Sequence, residues 1–365
     1  MERALARTRD RQDSPHDRRR IRLMVVDDSM IARAVLSRMI ESDPAFEIVA
    51  VAGTAEDAVE ALRQVEVDII LLDLEMPGAG GLRSMPQIIA AAAGARVMIV
   101  SSLAEEGAEQ TVAALAMGAA DTMPKPGTGR FNGRFSEILL GKLKAISFAD
   151  RAERRGLPPA SVPGSLRAMP ADPIEVLAIG ASTGGIHALG TLFAHLPRRI
   201  GVPILVTQHL PAPFMSVFAR QLGVTANRDA VVAEDGMALV ADRLHVAPGD
   251  AHMVVNADSG RPRIRLVNSP ARSGCMPSLD PMLASVGAIY RRSALGVVLT
   301  GMGRDGVEGA ARIVACGGSV LAQDQASSAV WGMPRAILEA GLASAVMPPD
   351  KLARRIASRT EASCK

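Results

Sequence analysis

Short apolar runs that end abruptly at a polar side chain recur along this chain, and they restrict its fold more than any other feature. Residues 21–26 stop at Asp27-Asp28, residues 67–72 at Asp73, and residues 96–100 at Ser101. Near-continuous apolar runs of this length read as strands buried on both faces. Residues 46–52 make another such run, and a short one at 121–123 precedes Pro124-Lys125-Pro126. Helical patterns over 30–40, 55–64 and 105–117 lie between them. Strands and helices alternating at these spacings predict a doubly wound, five-stranded parallel sheet.

Such sheets bind ligands beyond the carboxyl ends of their strands. Asp27, Asp28, Asp73, Ser101 and Lys125 are all expected there. Aspartate at a strand end is ordinary turn chemistry, but that explanation weakens when five polar groups gather at one edge. The carboxylates suit Mg²⁺, which prefers oxygen ligands. Metal and lysine together can neutralise a phosphoryl group transferred onto a carboxylate. Residues 21–147 resemble the receiver domain of response regulators over their whole length. The resemblance implies Asp73 as phosphoacceptor and Mg²⁺ on Asp28 and Asp73, with Asp27 acting through water. It also implies a backbone carbonyl from Glu75, phosphoryl sensing by Ser101 and Lys125, and phosphorylation from a histidine kinase.

Periodicity disappears over residues 148–172, where Pro158, Pro159, Pro163 and Pro170 make a helix unfavourable and predict an interdomain linker. The first 22 residues carry eight arginines against four acids, which leaves the rest of a chain of net charge +3 close to neutral. Residues 1–20 therefore read as a basic, disordered arm, and the basic pI does not mark a nucleic-acid-binding body. Aromatics make up only 2% of the chain, so rows of rings for stacking on single strands are absent. Cys275, Cys316 and Cys364 are too scattered for a disulfide framework or a zinc site, which favours a reducing cytoplasm. No apolar stretch follows the arginines, and the window at 88–100 is short and interrupted by Arg96. Neither a secretory signal nor membrane insertion is expected.

The second half repeats the strand–helix alternation. A strand at 176–179 feeds Ile179-Gly180-Ala181-Ser182-Thr183-Gly184-Gly185, and a helix runs to about 195. A strand at 203–207 ends in Gln208-His209 before a helix at 214–222. Four short stretches, 230–233, 243–247, 252–256 and 263–267, form a sheet-like middle. A helix at 279–291 and a strand at 296–300 lead to Gly301-Met302-Gly303-Arg304-Asp305-Gly306. A helix at 307–315, a strand at 319–322 and a last helix at 334–340 follow. The expected architecture is a second α/β domain over 173–358, with a mostly parallel sheet, a β-hairpin portion and a tail at 359–365.

The serine turn has two physical readings. Backbone N–H groups at a helix N-terminus suit any anion, so Ser182 could be one hydroxyl in a phosphate cradle. Alternatively Ser182, His209 and Asp305, each at a strand end, are the parts of an activated nucleophile. Glycines around Asp305 allow close backbone approach, and N–H groups there could line an oxyanion site. Residues 180–184 match G-x-S-x-G, but the order Ser…His…Asp is not that of the α/β-hydrolases. Asp324 is the rival acid. His16 lies in the arm, His187 and His195 read as surface or cap residues, and His245 and His252 fall in the β portion. The competing function is a response regulator whose output domain only binds a nucleotide or phosphate. Against it, the turn lacks a Walker lysine and an acidic ribose partner. A DNA-binding output is disfavoured because no helix-turn-helix with a basic recognition helix is visible.

The serine turn, Thr207-Gln208-His209, Ala247-Pro248-Gly249-Asp250, Leu299-Thr300-Gly301-Met302-Gly303, Asp305-Gly306 and Trp331-Gly332-Met333-Pro334-Arg335 occur in one order. With the receiver-like half, they resemble the chemotaxis protein-glutamate methylesterase/protein-glutamine glutaminase family. The resemblance implies a catalytic triad of Ser182, His209 and Asp305. Thr183 and the backbone around Met302 would support substrate or oxyanion. The implied reaction is hydrolysis of glutamate methyl esters, with deamidation of glutamines, on methyl-accepting chemoreceptors. The implied setting is a cytoplasmic monomer served by a chemotaxis histidine kinase, with Mg²⁺ needed for phosphorylation and no cofactor for hydrolysis. The receiver half is expected to cover the active-site edge until phosphorylation at Asp73 loosens it. Three departures stand out: the arginine-rich arm, Met276 where an arginine is expected, and a proline-rich linker without a receptor-tethering tail.

Overall fold

The computed structural model describes residues 20–77, 80–101, 105–125, 133–154, 166–258 and 260–360. Most of the arm, the middle of the linker and the end of the tail lie outside these residues, and the readings made for them go no further.

The first half carries strands β1 (Ile21–Val26), β2 (Phe46–Ala52), β3 (Ile69–Leu72), β4 (Arg96–Ser101) and β5 (Asp121–Pro124). They pair in parallel in the order β2-β1-β3-β4-β5. The order reverses between β1 and β3, so the residues that follow those two strands meet at one crevice. Helices α1 (Met30–Glu41), α2 (Ala55–Leu62), α3 (Gly81–Ala91), α4 (Glu105–Ala116) and α5 (Gly133–Arg154) connect and cover the sheet. Ser29 caps α1 and Thr54 caps α2, each accepting an N–H from the first turn. Two differences from the sequence reading appear here. Helix α3 was not anticipated: it opens on Gly80 with no side-chain cap and holds Pro86 internally, which hides its start and its periodicity. Helix α5 was not anticipated either, and it continues to Arg154, so the stretch read as a helix-free linker from 148 begins as helix.

The second half carries a seven-stranded sheet in the order β14-β13-β12-β6-β7-β9-β8. Its strands are β6 (Val176–Ala181), β7 (Ile204–Gln208), β8 (Ala230–Val232), β9 (Leu244–Val246), β12 (Ala294–Val298), β13 (Ser319–Gln323) and β14 (Ala345–Met347), all paired in parallel. The hairpin portion is β10 (His252–Asp258) against β11 (Arg261–Val267), antiparallel and outside the main sheet. Helices α6 (Gly185–His195), α7 (Ala212–Ala226), α8 (Leu279–Tyr290), α9 (Val307–Ala315), α10 (Met333–Glu339) and α11 (Pro349–Ala357) complete it. β14 and α11 were not anticipated, since the last helix was expected at 334–340. The central strands are apolar throughout, as in β6 and β12, where every residue is buried. Here too the switch point is central. Chain order runs outward from β6 through β7 on one side and begins again at β12 on the other.

Candidate active site

The turns after β6, β7 and β12 converge at this switch point. Ser182 N–H donates to the Thr300 carbonyl (3.0 Å), and His209 N–H donates to the Ala181 carbonyl (3.1 Å). Ser182 and His209 therefore leave adjacent strands side by side. Gln208 Nε2 donates to the Ser182 carbonyl (2.9 Å) and fixes the turn from beneath. Gly184 adopts φ +76°, a left-handed conformation, and a Cβ there would lie 2.4 Å from Ala329 Cβ. Gly301 is equally constrained, because a Cβ would sit 2.7 Å from Ser182 Cβ.

His209 Nε2 lies 2.8 Å from Asp305 Oδ2. Asp305 is buried, and its oxygens also accept the Ser278 hydroxyl (2.6 Å) and the Leu279 N–H (2.7 Å). Behind Ser278 stands His252, fully buried. Its Nδ1 accepts the Ser278 N–H (2.9 Å), which leaves Nε2 to donate to the Ser269 carbonyl (2.9 Å). His252 thus supports Asp305 at second hand, a contact that its place in the β portion did not reveal. Asp324 is not the carboxylate bonded to His209: it accepts from Ser327 in its own turn. His187 and His195 are exposed on α6, and His245 is buried against the Ile204 carbonyl. Ser182 Oγ is half-buried and has no hydrogen-bond partner among the described residues.

Burial raises the cost of charging the Asp305 carboxyl, but His209, Leu279 and Ser278 outweigh it and hold the group well below the usual carboxylate range. Burial likewise works against a charged imidazole, yet Asp305 and Cys275 together lift His209 from 6.5 to about 9. Cys275 is a neighbour that sequence reasoning missed. It precedes Met276, the departure noted above, whose side chain is exposed.

At the other switch point, ligand oxygens of Asp27, Asp28 and Asp73 lie within 4.8 Å of one another. Lys125 Nζ is 2.7 Å from Asp73 Oδ2 and 2.8 Å from Asp27 Oδ2. Burial pushes the Asp73 carboxyl up, against the pull of Lys125. Asp27 Oδ2 is buried and meets the Lys125 ammonium in an ion pair. Glu75 donates its N–H to Asp73 Oδ1 (3.1 Å), and its side chain is outside the carboxylate cluster. Ser101 is buried with its hydroxyl on Thr111 of α4 (2.6 Å).

Comparison with known proteins decides the lineage. Residues 177–356 match the family model of the CheB methylesterase, and residues 23–130 match that of the response regulator receiver domain. The chain is 41% identical over 346 residues to a protein-glutamate methylesterase/protein-glutamine glutaminase 2 of Caulobacter vibrioides, covering 93% of this chain and 99% of that one. It is 38% identical over 359 residues to protein-glutamate methylesterase/protein-glutamine glutaminase 1 of Paramagnetospirillum magneticum, covering 91% and 94%. The chain belongs to the protein-glutamate methylesterase/protein-glutamine glutaminase family. The crystal structure of the Thermotoga maritima CheB methylesterase catalytic domain overlays 51% of this chain and 98% of that one, with a TM-score of 0.50 at 34% identity.

In this methylesterase-family chain the receiver half sits directly on the serine turn. The Ala120 carbonyl, just before β5, accepts the Gly184 N–H (2.7 Å). Asp121 Oδ2 accepts from Thr183 Oγ1 (2.6 Å) and from Lys142 Nζ (2.6 Å). Val330 of the catalytic half joins the buried apolar cluster that holds Phe135 and Leu139 of α5. The exposed end of Met302 reaches towards α5, where a Cβ on Gly141 would lie 3.8 Å from its Cε. Between Leu115, Ala120, Asp121, Ser182 and Gln208 there remains a cavity of about 10 Å³, room for roughly one water. Among the described residues, no helix is long and apolar enough to cross a membrane.

Proposed function

We propose that this chain hydrolyses glutamate methyl esters, and deamidates glutamines, on methyl-accepting chemoreceptors, and that its receiver half gates the reaction. The observation that carries the chemistry is the His209–Asp305 hydrogen bond beside Ser182 at the sheet's switch point. Ser182 Oγ attacks the ester carbonyl while His209 takes its proton and then hands it to the departing methanol. Water, deprotonated by the same imidazole, cleaves the acyl-serine and releases the glutamate. With a glutamine side chain the leaving group is ammonia. Asp305 stays ionised throughout, because its environment holds it far below neutrality, and stabilises the imidazolium. The Met302 N–H, which has no partner among the described residues, is the donor we assign to the oxyanion.

Asp73 is the phosphoacceptor in this reading, with a chemotaxis histidine kinase as donor. Asp27, Asp28 and Asp73 would hold Mg²⁺, as the all-oxygen cluster supports. When bound, the ion supplies positive charge against the incoming phosphoryl group. Ser101 and Lys125 then respond to that group, and Ser101 reaches α4 through Thr111. Because α4 packs on α6 and α7, a shift there loosens the docked receiver. Methanol release from methylated receptor membranes tests the reading. Ser182→Ala abolishes release while the fold persists, and a fully active variant would overturn the assignment of the nucleophile.

A further inference from the structure

Cys275, His209 and Asp305 each offer a ligand atom, and these atoms all lie within 4.8 Å of one another. The residues come from three places, the loop before α8, the end of β7 and the turn after β12. They belong to one supported network. Ser278, three positions after Cys275, holds Asp305 through its hydroxyl and is itself held by His252. A tetrahedral zinc ion with bonds of about 2.0–2.3 Å needs ligand atoms roughly 3.3–3.6 Å apart, so the cluster needs only small side-chain movements. Cys275 is half-buried between exposed Gly274 and Met276, which gives an ion a way in.

We propose that this cluster is an inhibitory site for a thiophilic divalent cation, zinc being the fitting one. A thiolate, an imidazole and a carboxylate select zinc over magnesium, whereas the phosphorylation site offers oxygens alone. Three protein ligands leave a fourth position for water. Binding sends the Cys275 thiol proton and the proton shared by His209 and Asp305 to solvent. Asp305 exchanges its bond to His209 for the metal and keeps those from Ser278 and Leu279. An imidazole committed to zinc cannot accept the Ser182 proton, so hydrolysis stops until a chelator removes the ion. The inhibitory effect rests on the proposed role of His209, whereas the site itself does not.

Co²⁺, a spectroscopic stand-in for zinc, separates the two. Titrated into the full-length protein, it should give a thiolate-to-cobalt charge-transfer band that disappears in Cys275→Ser and in Cys275→Ala, although Cys316 and Cys364 remain. In parallel, Zn²⁺ should suppress methanol release reversibly with EDTA, and the concentration that halves activity should rise at least tenfold in Cys275→Ser. Absence of the band in the unmodified protein, or an equal band in the variants, overturns the site. Equal zinc sensitivity of Cys275→Ser and the unmodified protein overturns the inhibitory role. A band in a protein that releases no methanol even without metal would refute the esterase reading and leave the site standing.

Discussion

Replacing Asp121 by alanine should release the catalytic half from its receiver. Asp121 Oδ2 takes part in two short contacts, but only the one from Thr183 crosses between the halves. The Lys142 contact lies within the receiver, so it persists when the halves separate and cancels. A hydrogen bond to a charged group contributes about 1.5–3 kcal/mol, or roughly tenfold to a little over a hundredfold in an equilibrium constant. The closed form of the variant also leaves the Thr183 hydroxyl, in a residue only 4% exposed, without its acceptor. Basal methanol release without phosphodonor should therefore rise by about tenfold or more, with the fully phosphorylated rate as its ceiling. The stimulation achieved by acetyl phosphate should shrink in proportion. An Asp121→Ala protein with wild-type basal rate and wild-type stimulation would refute the idea that this contact holds the gate.

Asp73→Asn should keep basal hydrolysis and lose stimulation by acetyl phosphate; equal stimulation in both proteins would remove Asp73 from the switch. The pH profile, measured with chelator present, should rise into the alkaline range. His209 acts as base only when deprotonated, and its partners hold its proton up to about 9, so the competent fraction falls about tenfold for each pH unit below that value. Cys275→Ser removes one of those partners and should move the rising limb to lower pH; an unmoved limb would show that the thiol does not act on His209.

Much of the architecture could be read from the sequence because parallel strands buried on both faces leave unbroken apolar runs, and the residue after each run has a fixed address. Asp27, Asp73, Ser182, His209 and Asp305 were placed this way, and the structure brings the last two into hydrogen-bond contact. Asp324 had the same kind of address, yet it closes its own turn, because a strand end fixes position and not partners. Helix α11 carried a signal that was passed over. Pro349 at its start, Asp350 in the first turn and the spacing of Leu352, Ala353 and Ile356 are ordinary helix-opening chemistry. Helix α3 carried a weaker one, broken by Pro86. His252 and Cys275 could not be found in this way. Their importance comes from contacts with residues far off in sequence, and neither sits at the end of a strand of the main sheet.

The bond from Gly184 N–H to the Ala120 carbonyl is made by main chain on both sides. Any residue at position 120 presents that carbonyl, so no side-chain change there can delete the contact directly. The receiver half behaves as a tethered competitor for the turn that the substrate must approach. A linker confers an effective concentration that reaches the millimolar range when it is short and flexible. Such a competitor needs little intrinsic affinity, and a separate receiver added from solution would have to be supplied at comparable strength to match it. Gating of this kind is felt most when methylated receptors are scarce and fades as they become abundant, so the supply of substrate would itself help set how strictly the enzyme is restrained.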